Sequence, residues 1–252
     1  MKALITGASS GIGLDIARYL ASQKYELILV ARNKEKLEQI QEQLPTKVTI
    51  IVADLSNEQR VKELYVIAKK ENVDILINNA GLGDFGYLTD TDMNKDLELI
   101  NTNIKAVHIL TKSIVKDMEK RETDTYILNV SSSAAFQPGP LMSTYYATKS
   151  YVYQLTEALY YEEKIKKTKV HVSVLCPGPV DTNFNNVAGV EFAVKPLSSS
   201  YVAKYAIDEM LKEKMLIIPG TKMKLAKFFG RFASDKMLLK MTYKIQKRKA
   251  SK

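Results

Sequence analysis

The chain has 252 residues, of which 46% are apolar, and a formal net charge of +9. That length favours one large α/β domain over two independent ones. Cys176 is the only cysteine, so an intrachain disulfide is excluded, and the sequence lacks the cysteine and histidine clusters of metal sites. It shows no secretory leader and no run of roughly 18 apolar residues, which predicts a cytoplasmic location.

The positive charge is concentrated at the C-terminal end. Residues 220–252 contain eleven Lys or Arg and one acidic residue, whereas the preceding 219 residues carry 26 basic and 27 acidic side chains. We therefore predict a catalytic, nucleotide-binding domain over residues 1–220 and a basic helical extension over residues 221–252. The charge belongs to the extension, so it does not indicate a nucleic-acid partner for the domain.

Short runs rich in Ile, Val and Leu alternate with segments of helical period along the chain. The predicted strands are residues 2–6, 26–31, 47–53, 73–78, 125–131, 169–175 and 215–219. The clearest predicted helices are residues 34–43, 57–71, 103–120 and 145–165. The alternation predicts a doubly wound, Rossmann-type α/β fold with a seven-stranded parallel sheet and helices on both faces. Residues 181–198 have no clear period and are expected to form a mobile loop or short helix.

A glycine-rich segment, TGASSGIG at residues 6–13, follows the first predicted strand and opens a helix. Small residues there let the backbone approach a pyrophosphate, and the N–H groups of the helix face its charge. The spacing of Gly7, Gly11 and Gly13 differs from the common GxGxxG fingerprint. Taken alone, the segment could be a purely structural turn.

The residues after the second strand indicate which dinucleotide would bind. An acidic residue in this region holds the ribose 2′-hydroxyl of NAD, whereas an arginine can accommodate the 2′-phosphate of NADP. This chain has Arg32 and Asn33, with no carboxylate before Glu35. NADP(H) is therefore the predicted cofactor. Asp54, after the third strand, is placed to accept a hydrogen bond from the adenine, although Asp is also an ordinary turn residue.

YYATK at residues 145–149 places Tyr145 and Lys149 on the same face of a helix. A neighbouring ammonium favours the phenolate, so we expect Lys149 to bring the pKa of Tyr145 toward the working range of a proton-transfer catalyst. Ser132, just past a strand, supplies a hydroxyl that can polarise a carbonyl. Sequence chemistry alone does not separate Ser132 from Ser131 and Ser133.

These features resemble the short-chain dehydrogenase/reductase family over residues 1–219. The resemblance rests on TGASSGIG, NNAG at 78–81, Asn103, NVSSSA at 129–134, YYATK and PGPVDT at 177–182, in that order. It implies an oxidoreductase that transfers a hydride between NADP(H) and a carbonyl or alcohol. It also implies a homodimer or tetramer that pairs through helices 103–120 and 145–165.

The resemblance assigns roles by position. Tyr145 would be the general acid/base, Lys149 would hold the nicotinamide ribose and lower the pKa of Tyr145, Ser132 would steady the substrate oxygen, and Asn103 would hold a water that links Lys149 to solvent. Family spacing selects Ser132 over its neighbours, and Tyr145 over Tyr146. The remaining predicted cofactor-binding residues are Gly7, Ser9, Ser10, Gly11, Ile12, Gly13, Arg32, Asp54, Leu55, Asn79, Ala80, Gly81, Pro177, Gly178, Val180 and Thr182.

Two other functional classes compete with this interpretation. A nucleotide-binding regulator on the same fold could keep the glycines without the catalysis, but the intact set of Asn103, Ser132, Tyr145 and Lys149 argues against it. A membrane-surface or nucleic-acid module built on the extension would leave that set unexplained. Phe184, Phe192 and Val194 in the 183–198 loop favour a hydrophobic substrate such as a ketone, an aldehyde or a ketoacyl compound over a sugar. The alternative is that they only anchor the loop to the core.

The extension has two segments of basic amphipathic character, separated near Ser234. Its apolar residues at helical spacing are Leu225, Phe228, Phe229, Phe232, Met237, Leu238, Met241 and Ile245. The cations on the opposite side are Lys224, Lys227, Arg231, Lys236, Lys240, Lys244 and Lys247. Such helices either dock their apolar face on the protein or lie in the interface of an anionic membrane.

Overall fold

The structure is a computed structural model that describes residues 1–182, 184 and 196–249, with side chains up to residue 247. The strands are β1 (Lys2–Thr6), β2 (Glu26–Ala31), β3 (Val48–Val52), β4 (Ile75–Asn78), β5 (Thr125–Val130), β6 (Val170–Leu175), β7 (Val180–Asp181), β8 (Leu197–Ser198) and β9 (Leu216–Ile217). Most of the 181–198 segment, expected to be a loop or short helix, lies outside the described residues.

The helices alternate with these strands along the chain. They are α1 (Gly11–Ser22), α2 (Lys34–Gln43), α3 (Glu58–Lys70), α4 (Met93–Ile100), α5 (Val107–Met118), α6 (Ser143–Lys166), α7 (Ser199–Met210), α8 (Thr221–Gly230) and α9 (Asp235–Lys249). A π-helical turn at Asn101–Ala106 joins α4 to α5, and a 3₁₀ turn at Ser133–Phe136 precedes α6.

Seven strands form one parallel sheet in the order β3-β2-β1-β4-β5-β6-β9. The predicted doubly wound fold with seven parallel strands is confirmed. The strand order reverses between β1 and β4, and in open α/β sheets ligands bind in the crevice outside the strand ends at such a point. The small pair β7-β8 was not predicted from the sequence.

Two apolar cores lie on opposite faces of the sheet because the central strands are buried on both sides. Ile5 of β1 packs with Leu20 of α1 and Ile207 of α7 on one face. Leu4, its neighbour in the strand, packs with Leu64 of α3 and Leu110 of α5 on the other. Successive side chains of a strand point to opposite faces, so these continuous apolar runs are what a parallel sheet between two helical layers requires.

The helical stretch that holds Asn103 starts ten residues earlier than predicted. It begins at Met93 instead of residue 103, because Asp92 caps it. The Asp92 carboxylate accepts hydrogen bonds from the backbone N–H groups of Asn94 and Lys95, at 2.7 and 3.2 Å. This satisfies donors that the first turn of a helix leaves without partners.

The extension forms α8 and α9 and packs on the domain, but with most of its predicted apolar face exposed. Leu238 is the one predicted apolar-face residue that is buried among those described, while Phe228, Phe229, Phe232, Met237, Met241 and Ile245 are exposed. Of the two alternatives for the extension, docking through the apolar face is therefore not what the structure shows. Lys227, Thr242 and Gln246 make the contacts instead. No helix in the described part of the chain is long and apolar enough to span a bilayer.

Candidate active site

A cavity of 620 Å³ lies beyond the carboxyl ends of β1, β4 and β5. It collects nearly all of the residues predicted for the cofactor and the chemistry. Those that line it are Gly7, Ser9, Ser10, Gly11, Ile12, Arg32, Asp54, Leu55, Asn79, Ala80, Gly81, Ser132, Tyr145, Lys149, Pro177, Gly178, Val180 and Thr182. Gly13 and Asn103 are not part of the lining, and they support it from behind.

The glycine-rich turn between β1 and α1 leaves no room for side chains. A Cβ atom at Gly13 would lie 2.4 Å from the backbone oxygen of Gly7 and from Nδ2 of Asn79. Gly11 has φ of +53°, and a Cβ there would lie 2.9 Å from Thr182. Ser10 precedes α1, and its side chain makes no hydrogen bond to the first N–H groups of that helix. Helix N–H groups without a side-chain cap are the arrangement that binds a phosphate.

The NNAG segment fastens this turn to the sheet. The backbone N–H groups of Asn79 and Ala80 both donate to Oγ1 of Thr6, each at 3.0 Å. Nδ2 of Asn79 donates to the backbone oxygens of Thr6 and Gly7, at 3.0 and 3.2 Å. Asn79 is thus committed to the backbone of the turn, so its contribution to the cavity is to fix the position of the glycines.

Arg32 stands at the other end of the cavity, where β2 ends. Its guanidinium donates to Oε1 of Glu98 at 2.9 Å, and its side chain is 60% exposed. Lys36, in the first turn of α2, lines the same part of the cavity. Neither Glu98 nor Lys36 was predicted from the sequence. Lys36 could have been found, because it is a cation only four residues after Arg32, whereas Glu98 lies 66 residues away in sequence.

Asp54 lies beside this region, directly after β3. Its Oδ1 accepts hydrogen bonds from the backbone N–H and the hydroxyl of Ser56, both at 2.9 Å. The carboxylate therefore shapes the turn before α3 as well as lining the cavity. Turn formation and ligand contact are compatible, since Ser56 engages one of the two carboxylate oxygens.

Tyr145, Lys149 and Ser132 meet at the opposite end of the cavity. The helical spacing in α6 places Nζ of Lys149 5.8 Å from the centre of the Tyr145 ring. The same ammonium donates to the backbone oxygen of Val130 at 3.0 Å, which ties α6 to the end of β5. Ser132 follows β5 directly, and its Oγ accepts from the backbone N–H of Ala134 at 3.1 Å.

Burial dominates the electrostatics of this cluster. It raises the pKa of Tyr145 to about 12, and hydrogen bonding with Ser132 opposes the rise only in part. Burial also lowers the pKa of Lys149 to about 8. The expectation that Lys149 would lower the Tyr145 pKa does not hold for the protein alone, because desolvation disfavours both charged forms. Tyr145 is therefore protonated at neutral pH, which is the form that can donate a proton.

The structure separates the three neighbouring serines and the two neighbouring tyrosines. Ser131 donates to the backbone oxygen of Lys149 at 2.7 Å, so its hydroxyl anchors α6. Ser133 begins the 3₁₀ turn. Tyr146 accepts a hydrogen bond from Nε2 of Gln246 in α9 at 2.5 Å. Of these residues, Ser132 is the one whose hydroxyl lowers the pKa of Tyr145 against the effect of burial.

Asn103 supports the cluster from the π-helical turn. Its Oδ1 accepts from the backbone N–H of Leu82 at 2.8 Å, and its Nδ2 donates to the backbone oxygen of Leu82 at 2.9 Å and to Thr148 at 3.1 Å. A Cβ atom at Gly81 would lie 3.2 Å from Nζ of Lys149 and 3.3 Å from Oδ1 of Asn103. Asn103 thus holds the loop after β4 against α6.

Side chains of the extension complete the wall next to Tyr145. Met223 of α8, with Ile245 and Gln246 of α9, lines the cavity. These three residues were not predicted from the sequence as part of the site. Phe184 was proposed as an apolar lining residue, and its ring centre lies 5.3 Å from that of Tyr145. Phe192 and Val194 lie outside the described residues.

Comparison with known proteins agrees with this arrangement. The model of the short chain dehydrogenase family matches residues 1–190. This chain belongs to the short-chain dehydrogenase family. A relative in Staphylococcus epidermidis, named as an uncharacterized oxidoreductase, is 32% identical over 183 residues, which cover 71% of this chain and 78% of the relative. The family resemblance seen in the sequence is confirmed, and the chain is an enzyme of the oxidoreductase class.

Solved structures of short-chain dehydrogenases share the whole fold. One from Sphingobium yanoikuyae, in complex with NADPH, has a TM-score of 0.82 at 26% identity and covers 92% of this chain and 93% of its own. Another from Burkholderia phymatum, in complex with NAD, has a TM-score of 0.82 at 25% identity and covers 90% of this chain and 91% of its own. Since the two hold different dinucleotides, similarity of fold leaves the choice of cofactor to the residues of each chain.

Proposed function

We propose that this short-chain dehydrogenase reduces a hydrophobic ketone, aldehyde or ketoacyl compound with NADPH, and oxidises the corresponding alcohol in reverse. The observation that carries the proposal is a single cavity with a side-chain-free phosphate cradle, Arg32 at one end, and Ser132, Tyr145 and Lys149 at the other. The cavity wall next to Tyr145 includes Met142, Phe184, Met223 and Ile245, which favours an apolar substrate.

The cradle fits a dinucleotide because Gly7, Gly11 and Gly13 keep side chains away from the place where a pyrophosphate would contact α1. Lys149 would hold the nicotinamide ribose, and Pro177, Gly178, Val180 and Thr182 would hold the carboxamide. When bound, the nicotinamide supplies the hydride. The protein supplies orientation and the proton.

Preference for NADPH over NADH is assigned to Arg32, assisted by Lys36. Two cations in this part of the cavity favour a 2′-phosphate. Glu98 pairs with Arg32 in the protein alone, but an exposed ion pair of this kind contributes only about 0 to 1 kcal/mol. A phosphate that carries more negative charge than one carboxylate can replace it.

In the reductive direction the proton comes from Tyr145. Burial keeps this hydroxyl protonated, and transfer to the carbonyl oxygen neutralises the negative charge that develops there. Ser132 would donate a second hydrogen bond to the same oxygen. Lys149, whose ammonium faces the ring of Tyr145, stabilises the phenolate that remains. Asn103 positions the loop around Lys149, and the proposed water relay to solvent starts from this pair.

A regulator that binds NADP without catalysis is the alternative on the same fold. It would need the glycines and Arg32 but no proton donor. The convergence of Tyr145, Ser132 and Lys149 in one buried cluster supports the enzyme, since a regulator has no use for an ammonium with a pKa lowered to about 8. We place the enzyme in the cytoplasm, with peripheral contact between the basic extension and an anionic membrane.

The proposed function is tested by following NADPH absorbance while ketones, aldehydes, ketoacyl thioesters and keto sugars are presented in turn. We expect oxidation of NADPH with apolar carbonyls and little with sugars. Parallel titration of NADPH without substrate gives cofactor affinity. Tight NADPH binding with no turnover across the panel would favour the regulator, and equally fast turnover of sugars would contradict the apolar pocket.

A further inference from the structure

The two helices of the extension dock on the domain largely through polar side chains. In α8, the ammonium of Lys227 donates to the hydroxyl of Tyr153 at 2.9 Å and lies 4.7 Å from the centre of the Phe136 ring, and Met223 packs on the apolar cluster beside them. Every residue of α8 is at least partly exposed. Burial lowers the pKa of Lys227, so this contact places a desolvated charge where a docked amphipathic helix would normally place apolar side chains.

The docked side of α9 is similar. Its buried side chains are Leu238, Thr242 and Gln246. Thr242 accepts from Nε2 of Gln137 at 2.8 Å, and Nε2 of Gln246 donates to Tyr146 at 2.5 Å. Oε1 of Gln246 is buried and has no hydrogen-bond partner among the described residues. A buried acceptor without a partner is unfavourable, so the docked position of α9 is held weakly.

The apolar side of both helices faces outward. Phe228, Phe229 and Phe232 of the α8 region are 53%, 63% and 77% exposed, and Met237 and Met241 of α9 are 56% and 48% exposed. The Phe228 ring contacts those of Phe229 and Phe232, so the three rings form one continuous aromatic patch. We call this exposed set the outer apolar face. Exposed apolar patches of this kind mark sites that contact another phase or molecule.

Charge decides which partner suits the outer apolar face. Residues 220–252 carry eleven cations and one acid. A second copy of the chain would bring the same positive charge against it, which is repulsive. Nucleic acid would require aromatic rings interleaved with cations, but these rings form a patch of their own. An anionic bilayer offers both an apolar interior and negative headgroups, which is the surface that basic amphipathic helices bind.

The position of α9 joins this surface to the chemistry. Gln246 contacts Tyr146, the neighbour of the proton donor, and Ile245 and Gln246 form part of the cavity wall. Ile245 also borders the outer apolar face and is 42% exposed. Movement of α9 toward a membrane would therefore open the cavity on the side that meets the lipid.

We propose that α9 is a lid on the substrate cavity, and that insertion of the outer apolar face into an anionic bilayer releases it so that an apolar substrate enters from the lipid. The proposal rests on the proposed function only in taking the cavity next to Tyr145 as the substrate site. A ligand that binds the open state better than the closed one shifts the equilibrium by its differential affinity, and the membrane is that ligand here.

The lid is tested by the reaction of engineered thiols with N-ethylmaleimide, which is small and uncharged. Thr242→Cys places a thiol on the docked side of α9, and Lys240→Cys places one on the exposed side. The native Cys176 is buried, and burial raises its pKa to about 12, so wild type supplies a silent background. Each protein is measured alone, with phosphatidylcholine vesicles and with phosphatidylglycerol vesicles.

We expect Thr242→Cys to react slowly alone or with neutral vesicles, and at least about tenfold faster with anionic vesicles, a change of about 1.4 kcal/mol in opening. Lys240→Cys should react quickly without lipid. Gln246→Cys places a thiol at a second buried position of α9. It should show the same acceleration, which separates movement of the helix from a local effect of the Thr242 substitution. An unchanged rate on bound protein would overturn the lid, as would a failure to bind anionic vesicles at low salt. Because labelling needs no catalysis, these outcomes are independent of the proposed reaction.

A matched pair of double variants tests the surface. Phe229→Ser with Phe232→Ser removes part of the outer apolar face, while Val66→Ser with Met93→Ser removes side chains that are 62% and 69% exposed elsewhere. We expect only the first pair to abolish both vesicle binding and the acceleration of labelling at Thr242→Cys. If the first pair instead leaves vesicle binding intact and reduces the oligomer size in light scattering, the face binds a second copy and the membrane proposal is overturned.

Discussion

Arg32 and Lys149 are two cations of the site, and they differ in their exposure to solvent. Arg32 is exposed and paired with Glu98, so it is available to a stronger anion. Lys149 is buried and donates to the backbone oxygen of Val130. Burial of its ammonium destabilises the fold, and we infer that the ammonium is retained because the reaction needs it. The two residues lead to separate predictions.

Arg32→Asp should reverse the cofactor preference. The substitution replaces the cation expected to meet the 2′-phosphate with a carboxylate that would repel it and could accept from a ribose hydroxyl. We expect NADPH affinity to fall by at least about tenfold, equivalent to about 1.4 kcal/mol, while NADH affinity is kept or improved. Fluorescence titration of both cofactors measures this, and Lys34→Asp, on the neighbouring exposed position, is the control. Equal NADPH and NADH affinities in wild type would refute the assignment.

Lys149→Met should inactivate the enzyme yet stabilise the fold. Burial lowers the pKa of Lys149 from 10.5 to about 8, so the unfolded chain binds more protons between those values and wild-type stability from this group rises with pH across that window. Below pH 8 the penalty is fully present, and the shift corresponds to about 3 kcal/mol. The substitution also removes the hydrogen bond to Val130, which offsets part of the expected gain in stability.

Urea unfolding at pH 7 and pH 9 measures this effect. We expect Lys149→Met to gain about 1 to 2 kcal/mol at pH 7 and less at pH 9. Lys112→Met, which replaces an exposed lysine of α5, is the matched control and should change stability little. A variant that is less stable than wild type at pH 7 would show that the buried ammonium supports the fold.

At the scale of elements, hydrophobic period predicted the sheet and most helices, because buried parallel strands and amphipathic helices leave a local signal. The pattern predicted β9 but overestimated its length, because the predicted strand 215–219 pairs only at Leu216 and Ile217. It failed for β7-β8, which pair across segments too short to have a period. The start of the helix that holds Asn103 was missed because half of MNKDLELI is polar and the segment is ordered by its cap at Asp92.

The site was predicted where it depends on short motifs and missed where it depends on tertiary contacts. Glycine spacing, Arg32 and the Tyr145–Lys149 pair are local features, whereas Glu98 reaches Arg32 across the fold. The pKa of Tyr145 could not be predicted from the sequence, because burial, which is the largest cause of its rise, is a tertiary property. The side of the extension that packs on the domain could not be predicted either, because polar residues such as Thr242 and Gln246 are buried there while most of the apolar face is exposed.

Asp92→Ala tests the cap that sequence periodicity overlooked. The carboxylate satisfies two N–H groups of α4, and removal of such a cap typically costs about 0.5 to 2 kcal/mol. Denaturant unfolding should show a loss within that range, and Asp92→Asn should recover most of it. Asp90→Ala, two residues earlier and outside the helix, is the control. If Asp92→Ala has no effect on stability, then α4 is held by packing alone.

At the scale of the whole molecule, exposed apolar residues on α6 support pairing of two copies. Tyr161 and Ile165 are 62% and 65% exposed and lie one helical turn apart, and Tyr151 shares their stripe two heptads before Ile165. His108 of α5 lies 2.7 Å from the hydroxyl of Tyr151, so both helices meet at this face. We propose a homodimer or tetramer built on it.

Ile165→Glu should convert the assembly into monomers, because it places a charge in the apolar stripe at its most exposed residue. Light scattering coupled to size exclusion at micromolar concentration measures the mass. Val66→Glu, which replaces an equally exposed residue of α3, should leave the mass unchanged. A wild-type chain that is monomeric at that concentration would contradict pairing through α5 and α6.

The proposed reaction requires that Tyr145 is the proton donor, and a comparison of the two adjacent tyrosines tests this role. With NADPH and the carbonyl that wild type reduces fastest, Tyr145→Phe should lower kcat by about 100-fold to 10,000-fold with NADPH affinity nearly unchanged. Tyr146→Phe, whose hydroxyl contacts Gln246 instead of the reacting centre, should keep most of kcat. Near wild-type turnover in Tyr145→Phe, together with its loss in Tyr146→Phe, would contradict the assignment and move the proton donor to the neighbouring ring.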